Sequence, residues 1–599
     1  MSAARGSRAW GGGIGWGWLG AVLGLAPTWA FLAGVPEFAT QDGPTHVYNA
    51  RIAARALGWS APCDAIPHPS SEMFTVSWRL MPNWGSTGLA WAALWVVEPI
   101  QADRLVTAML AWGMAWAILW TWSRGGHSSD RVEPPPLRVG LAAALLGLNA
   151  PWLWGFSGFL VGALLGLIGV TVWWRAVQRP RGPAARDLIA LAGLTGLGYL
   201  CHPIGLGLMV ATIVAVAMVE AILAGPNHPL RQHPGRILTR TALGLGPLVP
   251  LALIYRAQIG EAGPLNPTWD HLADWTSPRA WMNQFTWVDP LALGSKTHWP
   301  WWDAPPMAHQ GPALTPLGRL IRGLSAPSLL AWAAILLGTL ASWRRNPDRA
   351  VWRGVGLAIV AFSLVCPDTL GESHGHYLPQ RVALWGLMLL VVGWSGDAKP
   401  PDSITGSRGS PRLHTATLGL TTLAWLGQTA WVADHARHCQ YELSGLTQLA
   451  SRIPTGARLG ALITASGSVH RSNPLLHADI LLGLRRGAVV WSNYETNHYY
   501  FPIRFRQGIP RPPARIFEDL ARLDAPEQSN HRRARWLDLV ERHADQFDAL
   551  LIRSTDPDLV QATLKRVPHL HAVARASPSW WLATRALQTP SPTPAETSP

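Results

Sequence analysis

The chain has 599 residues, of which 48% are hydrophobic and only 14% charged, and it contains 35 tryptophans. Its apolar residues occur in blocks that are too long for the helices of a soluble core, so the sequence predicts a polytopic membrane protein. The formal net charge is +14, but the basic residues are mostly arginines in short segments between the apolar blocks. A nucleic-acid-binding protein would concentrate them on a soluble face, so we expect no nucleic-acid partner.

The first apolar segment extends from about Gly12 to Gly34 and is long enough to span a bilayer, so we interpret it as a retained first helix. Asp42-Gly43-Pro44 follows it. Because proline suits the first turn of a helix, we predict a short helix over Pro44 to Leu57 with Asp42 at its positive end, where unpaired amides favour the ionised carboxylate. His46 and Asn49 lie on successive turns of this helix. His46 could contact the carboxylate or a substrate, or it could cap the helix.

Arginines in the loops orient the remaining helices, because positively charged loops stay in the cytoplasm. This rule places the first outer loop (35–82) and a long loop (260–322) outside and predicts about eleven crossings. The arginine-bearing loops assigned to the cytoplasm are 124–138, 175–186, 226–240, 344–349 and 399–412. After the first helix, the expected spans lie near 105–122, 139–150, 155–174, 188–202, 204–223, 241–259, 324–343, 351–366, 382–394 and 415–432.

One apolar segment does not fit this alternation. Pro82 to Val97 is the shorter of two apolar segments between the first outer loop and Arg124, and only an odd number of crossings can connect those two loops. We assign it to a helix that lies in, or dips into, the outer interface. The alternative is that 124–138 faces outward.

The composition changes near Arg437, where charged residues become frequent and apolar runs shorten to strand length. We therefore predict a transmembrane module over 1–436, a soluble extracytoplasmic α/β domain over 437–588, and a disordered tail over 589–599. Trp491 to Tyr500 could recognise a sugar or pack the domain against the membrane. The expected strands are 459–464, 547–552 and 580–584, and the expected helices are 516–523 and 536–543.

Further predictions concern arginines, cysteines and tryptophans outside the candidate base. Arg51 and Arg55 are expected to extend toward lipid headgroups, because long basic side chains snorkel. Cys63 and Cys439 are both placed outside, where an oxidising compartment would permit a disulfide. Seven tryptophans of the long loop, among them Trp269 and Trp287, would anchor it at the interface or stack on sugars.

A first helix, an outer loop with Asp-Gly-Pro-Thr-His-Val-Tyr-Asn-Ala (42–50), many further helices, a long outer loop and a soluble outer domain together resemble the GT-C superfamily of integral membrane glycosyltransferases. The resemblance covers essentially the whole chain and is closest to a bacterial branch with Asp-Gly-Pro-x-His in this loop. It implies that Asp42 is the catalytic or metal-binding carboxylate and that the donor is a polyprenyl-phosphate-linked sugar. Family members commonly have Asp-Glu here, whereas Gly43 follows Asp42. A divalent metal ion thus remains open as a cofactor, and Asp42 is better interpreted as a lone base.

Displacing a polyprenyl phosphate from a sugar requires a base for the acceptor hydroxyl and cationic donors for the leaving phosphate. Asp42 is the candidate base. Arg381, which follows His376 in an outer loop, is the candidate for the phosphate, or it anchors its helix at the interface. His202 lies at the outer end of a predicted span and either binds substrate or interrupts a helical hairpin before Pro203.

Two functions are consistent with these patterns. The first is a glycosyltransferase of the inner (plasma) membrane that moves the sugar to a glycan, lipid or protein acceptor on the outer face, with membrane lipids around it. The second is a non-catalytic transporter or assembly factor for envelope polysaccharide. A transporter would more often carry charged residues in mid-span or inverted repeats, and neither is evident, so the sequence favours the enzyme.

Overall fold

The computed structural model is mostly helical, with a small sheet region toward the C terminus. It describes residues 15–59, 61–64, 66–67, 69, 71–126, 133–179, 182–223, 232–259, 265–272, 285, 287–294, 327–343, 349–371, 375–396, 411–464, 470–513, 516–517, 529–577 and 579–585. Most of the predicted long loop 260–322, most of the predicted helix 516–523 and the whole predicted tail 589–599 lie outside these residues.

Among the described residues, fifteen helices precede the main sheet. They are α1 (Trp16–Gly34), α2 (Gly43–Ala56), α3 (Trp84–Leu94), α4 (Pro99–Arg124), α5 (Leu137–Gly147), α6 (Ala150–Leu153), α7 (Ser157–Val177), α8 (Ala185–Cys201), α9 (Pro203–Leu223), α10 (Pro234–Gly244), α11 (Leu248–Ile259), α12 (Pro327–Trp343), α13 (Ala350–Ser363), α14 (Leu378–Val392) and α15 (Pro411–Ala450).

Among the described residues, α1, α4, α7 and α9 are long and apolar enough to cross a bilayer. Helices α10 and α11 meet at a 46° bend and together form a fifth candidate span. Helices α5, α12, α13 and α14 are apolar but shorter. These helices agree with the predicted membrane protein, while the count of about eleven crossings and the GT-C fold stay predictions.

The segment that did not fit the alternation forms α3, whose 11 residues extend about 16 Å at 1.5 Å per residue. That length is too short to cross a hydrocarbon core of about 30 Å. The structure is therefore consistent with a helix that does not span.

The helices pack closely where small residues meet. Helix α1 lies against α5, and a side chain on Gly140 would stand 1.9 Å from the carbonyl oxygen of Gly17. Small residues allow helix backbones to approach in this way. The other extensive helix pairs are α12 with α15 and α13 with α14.

Helix α15 crosses the predicted domain boundary at residue 436 without a break and ends at Ala450. The region after it, residues 451–585, is called the sheet domain here. Its five strands are β2 (Arg458–Ile463), β3 (Val489–Val490), β5 (Ala549–Arg553), β6 (Ala572–Arg575) and β7 (Trp580–Thr584), in the order β3-β2-β5-β7-β6. Strands β3, β2 and β5 are parallel, whereas β7 pairs antiparallel with both β5 and β6. Its helices are α16 (Ala478–Arg486), α17 (Ser529–Arg542) and α18 (Pro557–Leu564). The three predicted strands and the helix predicted at 536–543 thus correspond to observed elements.

The first loop is joined to the sheet domain by a strand pair that the sequence did not predict. Strand β1 (Phe74–Val76) pairs antiparallel with β4 (Ile503–Phe505). The four cysteines are free, so Cys63 and Cys439 form no disulfide. The Cys63 thiol lies 3.6 Å from the carbonyl oxygen of Trp95, and Cys439 is buried beside Ala39.

The prediction for Arg51 was wrong. Its side chain is wholly buried and forms an ion pair with Asp64 at 2.7 Å, because the sheet domain covers this face of α2. Arg55, one turn further along the helix, is exposed as expected.

Candidate active site at the base of the sheet domain

Asp42 lies immediately before α2, in the space between the helical bundle and the sheet domain. Its backbone N–H donates to the carbonyl of Trp154 at 3.0 Å, and its side chain makes no capping bond to the helix. The Asp42 side chain is 12% exposed, and its carboxylate lies 3.6 Å from Nε2 of His477, with Tyr494 as a further hydrogen-bonding neighbour.

The environment of Asp42 reverses the expected effect of the helix end. Burial raises the pKa of Asp42 to about 6; the charge of His46 opposes this shift, and that of Glu495 adds to it. The carboxylate is therefore ionised at neutral pH but titrates close to it, as suits a general base. Burial is the largest influence on this carboxyl, so its pKa lies above the ordinary value although it stands at a helix N-terminus.

Gly43 has a steric reason to follow Asp42. A Cβ at this position would stand 1.8 Å from Oδ1 of Asp103 and 2.3 Å from Oγ1 of Thr40. Asp103, on α4, accepts hydrogen bonds from the backbone and hydroxyl of Thr40 at 3.1 Å each. The turn that presents Asp42 is thus packed against α4, and no second carboxylate fits beside it at residue 43.

His46 faces an acceptor at each ring nitrogen. Its Nδ1 lies 2.5 Å from Oε1 of Glu495, and its Nε2 lies 3.1 Å from the carbonyl oxygen of Gly155. Burial alone lowers the pKa of His46, but the carboxylates of Glu495, Asp42 and Asp103 together outweigh burial and raise the pKa to about 9. His46 is therefore a cation at neutral pH. By contrast, burial together with the charge of His46 lowers the pKa of His477 to about 3, so His477 is neutral.

Asn49 links α2 to the same carboxylate. Its Nδ2 donates to Oε2 of Glu495 at 2.6 Å, and its Oδ1 accepts from Nδ2 of Asn493 at 2.8 Å. The neighbouring residue, Tyr48, donates its hydroxyl to the carbonyl of Ala488 at 2.8 Å. The sheet domain thus contacts α2 through polar groups of two successive residues, Tyr48 and Asn49.

Arg381 and His202 form a second part of the site. Nη1 of Arg381 lies 3.0 Å from Nε2 of His202, and its guanidinium stacks over Phe156 at 4.7 Å and Phe159 at 5.3 Å. The side chain is buried, and its Nε donates to no acceptor among the described residues. In the described part of the chain no carboxylate forms an ion pair with it.

His202 is placed between two groups that can only donate. The backbone N–H of Ile204 points at Nδ1 from 3.2 Å, and the Arg381 guanidinium points at Nε2. A neutral imidazole carries a hydrogen on one of its nitrogens, so one N–H must face another donor. An anionic oxygen beside this contact, within reach of both side chains, would accept from both and remove this conflict.

A short segment connects the two parts. Trp154 and Gly155 contact Asp42 and His46 through their carbonyls, and the next residue, Phe156, lies under Arg381. Asp42 is also within electrostatic range of the Arg381 guanidinium. Aromatic rings surround this space: Tyr377 packs on Trp154 at 4.7 Å and on Phe156 at 5.8 Å, and Phe501 of the sheet domain lies 6.1 Å from His46.

No family model, curated protein or solved structure matches the chain.

Gly43 leaves no room for a second carboxylate directly after Asp42, so the paired Asp-Glu arrangement for a divalent metal ion is absent at this turn. In the ranges that the structure describes, no group of three or more histidine, cysteine or acidic side chains is arranged to hold a metal.

The structure brings five of the six predicted site residues into this region. Asp42, His46 and Asn49 lie on one side of the 154–156 segment, and His202 and Arg381 lie on the other. His376 is exposed. Sequence reasoning missed the residues that the sheet domain and α4 contribute, namely Glu495, His477, Tyr494 and Asp103. Only the polar and aromatic character of 491–500 gave a signal for two of them.

Proposed function

We propose that the protein is a membrane glycosyltransferase that transfers a sugar from a polyprenyl-phosphate-linked donor to a glycan, lipid or protein acceptor on the outer face of the inner membrane. One observation carries the proposal: a buried carboxylate, Asp42, and a buried arginine, Arg381, lie in the same region without forming an ion pair. Arg381 has no carboxylate partner among the described residues. Group transfer from a phosphate needs a base at one end and an anion-binding group at the other.

In this mechanism the acceptor hydroxyl gives its proton to the carboxylate of Asp42, and the acceptor oxygen attacks the anomeric carbon of the donor. The bond between that carbon and the phosphate oxygen breaks, and the polyprenyl phosphate leaves with its electron pair. Arg381 and His202 supply N–H donors for the leaving phosphate. Charge-assisted donors that are fixed before the reaction stabilise such developing charge without reorganisation.

Two further features support a lipid-linked sugar substrate. The aromatic rings of Trp154, Phe156, Tyr377 and Phe501 offer flat apolar faces of the kind that pack on sugar rings. The candidate spans beside the site provide a route along which a polyprenyl chain would lie in the bilayer. Asp42 with a pKa of about 6 is basic enough to accept a proton and ionised enough to do so at neutral pH.

The test uses purified protein in liposomes with a radiolabelled pool of polyprenyl-phosphate sugars and an envelope extract as acceptor. We expect Asp42→Asn to reduce transfer by at least about 100-fold, the scale of a lost general base, with unchanged folding. Glu37→Gln, which removes the preceding carboxylate of the same loop, is the matched control and should retain activity. Transfer at the wild-type rate by Asp42→Asn would refute the mechanism.

A further inference from the structure

Glu495 reaches from the sheet domain into the first loop and is completely buried there. One carboxylate oxygen lies 2.5 Å from Nδ1 of His46, and the other accepts from Asn49 at 2.6 Å. The carbonyl of Gly155 stands at the opposite ring nitrogen. Since an ionised carboxylate and a carbonyl can only accept, this placement favours a hydrogen on both nitrogens of His46, that is, an imidazolium.

Burying such a pair costs desolvation energy that its mutual attraction often fails to recover, so a buried ion pair is weak evidence for stability. Its position suggests another role. Asp42 lies beside the pair, and its carboxylate interacts electrostatically with both His46 and Glu495. Because His46 opposes the effect of burial on Asp42, the cation is what allows a carboxylate to be ionised in this enclosed place.

The charged and titratable groups around the pair come from four parts of the chain. The first loop and α2 contribute Asp42 and His46, and α4 contributes Asp103, whose charge also acts on His46. The sheet domain contributes Glu495 and the neutral His477. Beyond Asp42, Arg381 on α14 and the hydroxyl of Tyr494 complete the set.

We infer that Glu495 is a positioning residue for the proposed transfer, which holds His46 as a cation so that Asp42 stays ionised in its buried site. The inference rests on the proposed function. Without the cation, Asp42 and Glu495 would be two neighbouring buried carboxylates, and one of them would take up a proton. The sheet domain would then be required for the chemistry, because it supplies the charge that activates the base.

The first arm of the test does not depend on activity. The folded-state pKa of His46, about 9, is above its ordinary value of 6.5, so its stabilisation is complete below pH 6.5 and is lost as the pH rises through 9. We expect the melting temperature of the wild type to fall across this window more steeply than that of Glu495→Gln. Equal slopes in the two proteins would overturn the inferred charge pair.

The second arm measures the pH dependence of transfer in the liposome assay. In wild type, the transfer rate should fall as the pH drops and Asp42 takes up a proton. In His46→Gln this fall, the acid limb of the pH–rate profile, should move to a pH at least about one unit higher, since Asp42 then faces Glu495 without a cation. The double variant His46→Gln/Glu495→Gln should return the limb toward the wild-type position, which a merely structural role would not do. An unmoved limb in His46→Gln would overturn the inference. A wild type that transfers no sugar at any pH refutes the proposed function and with it this catalytic role, whereas the melting arm tests the charge pair separately.

Discussion

Replacing Arg51 by methionine should destabilise the protein, because this side chain ties α2 to two other parts of the chain. Its Nε donates to Asp64 at 2.7 Å, its Nη1 donates to the carbonyl of Leu484 at 3.1 Å, and its Nη2 donates to the carbonyls of Ile66 at 2.8 Å and Pro67 at 3.2 Å. The substitution preserves the apolar stem but removes the cation that lies 2.7 Å from the Asp64 carboxylate, whose side chain is 2% exposed.

Removing one partner of a buried ion pair costs about 3–5 kcal/mol. At an unfolding entropy of roughly 2.1 cal/mol/K per residue, the 599 residues give about 1.3 kcal/mol/K, so a loss of about 4 kcal/mol lowers the melting temperature by about 3 °C if the chain unfolds as one unit. A separately melting sheet domain would show a larger shift, because its unfolding entropy is smaller.

The assay is thermal unfolding in detergent micelles, followed by tryptophan fluorescence. Arg55→Met is the matched control: it removes the same charge from an exposed position one turn along the same helix, and its free energy of unfolding should change by less than about 0.5 kcal/mol. Equal melting temperatures for the two variants would refute the account of Arg51 as a buried link between α2 and the sheet domain.

Two further predictions concern the turn at Asp42. Because a carboxylate base must be ionised and the pKa of Asp42 is about 6, the wild-type transfer rate at pH 5 should be about a tenth of its value at pH 8; a flat profile between these values would exclude Asp42 as the base. Gly43→Ala should strongly reduce transfer, because its Cβ would stand 1.8 Å from Asp103, and the strain should also cost about 1–3 kcal/mol of stability. Gly34→Ala, where no atom lies within 4 Å of the added Cβ, should leave both activity and melting temperature unchanged.

Local elements followed from local patterns. Pro44 and the residues after it predicted a helix over 44–57, and the structure has it at Gly43–Ala56. The strand expected over 580–584 appears at Trp580–Thr584. Alternation, apolar length and turn residues determine such elements through interactions between near neighbours. Helix α15 differs because no residue near the predicted boundary at 436 interrupts a helix, so it continues to Ala450.

The contact partners of the site residues could not be predicted from local sequence patterns. His46 pairs with Glu495, 449 positions away in the sequence, and nothing around either residue marks the other as its partner. Arg51 was expected to extend toward lipid headgroups because long basic side chains snorkel. It is buried because a domain from the far end of the chain covers it, and burial depends on contacts that local patterns do not encode.

The sequence by itself determined the membrane character, the helix that follows Asp42 and the presence of a C-terminal α/β domain. These depend on composition and on the spacing of residues close together in the chain. Only the tertiary structure decided that this domain rests on α2, that Glu495 lies against His46, and that burial raises the pKa of Asp42. The physical reason is that desolvation and charge interactions act through space, between groups that hundreds of residues separate along the chain.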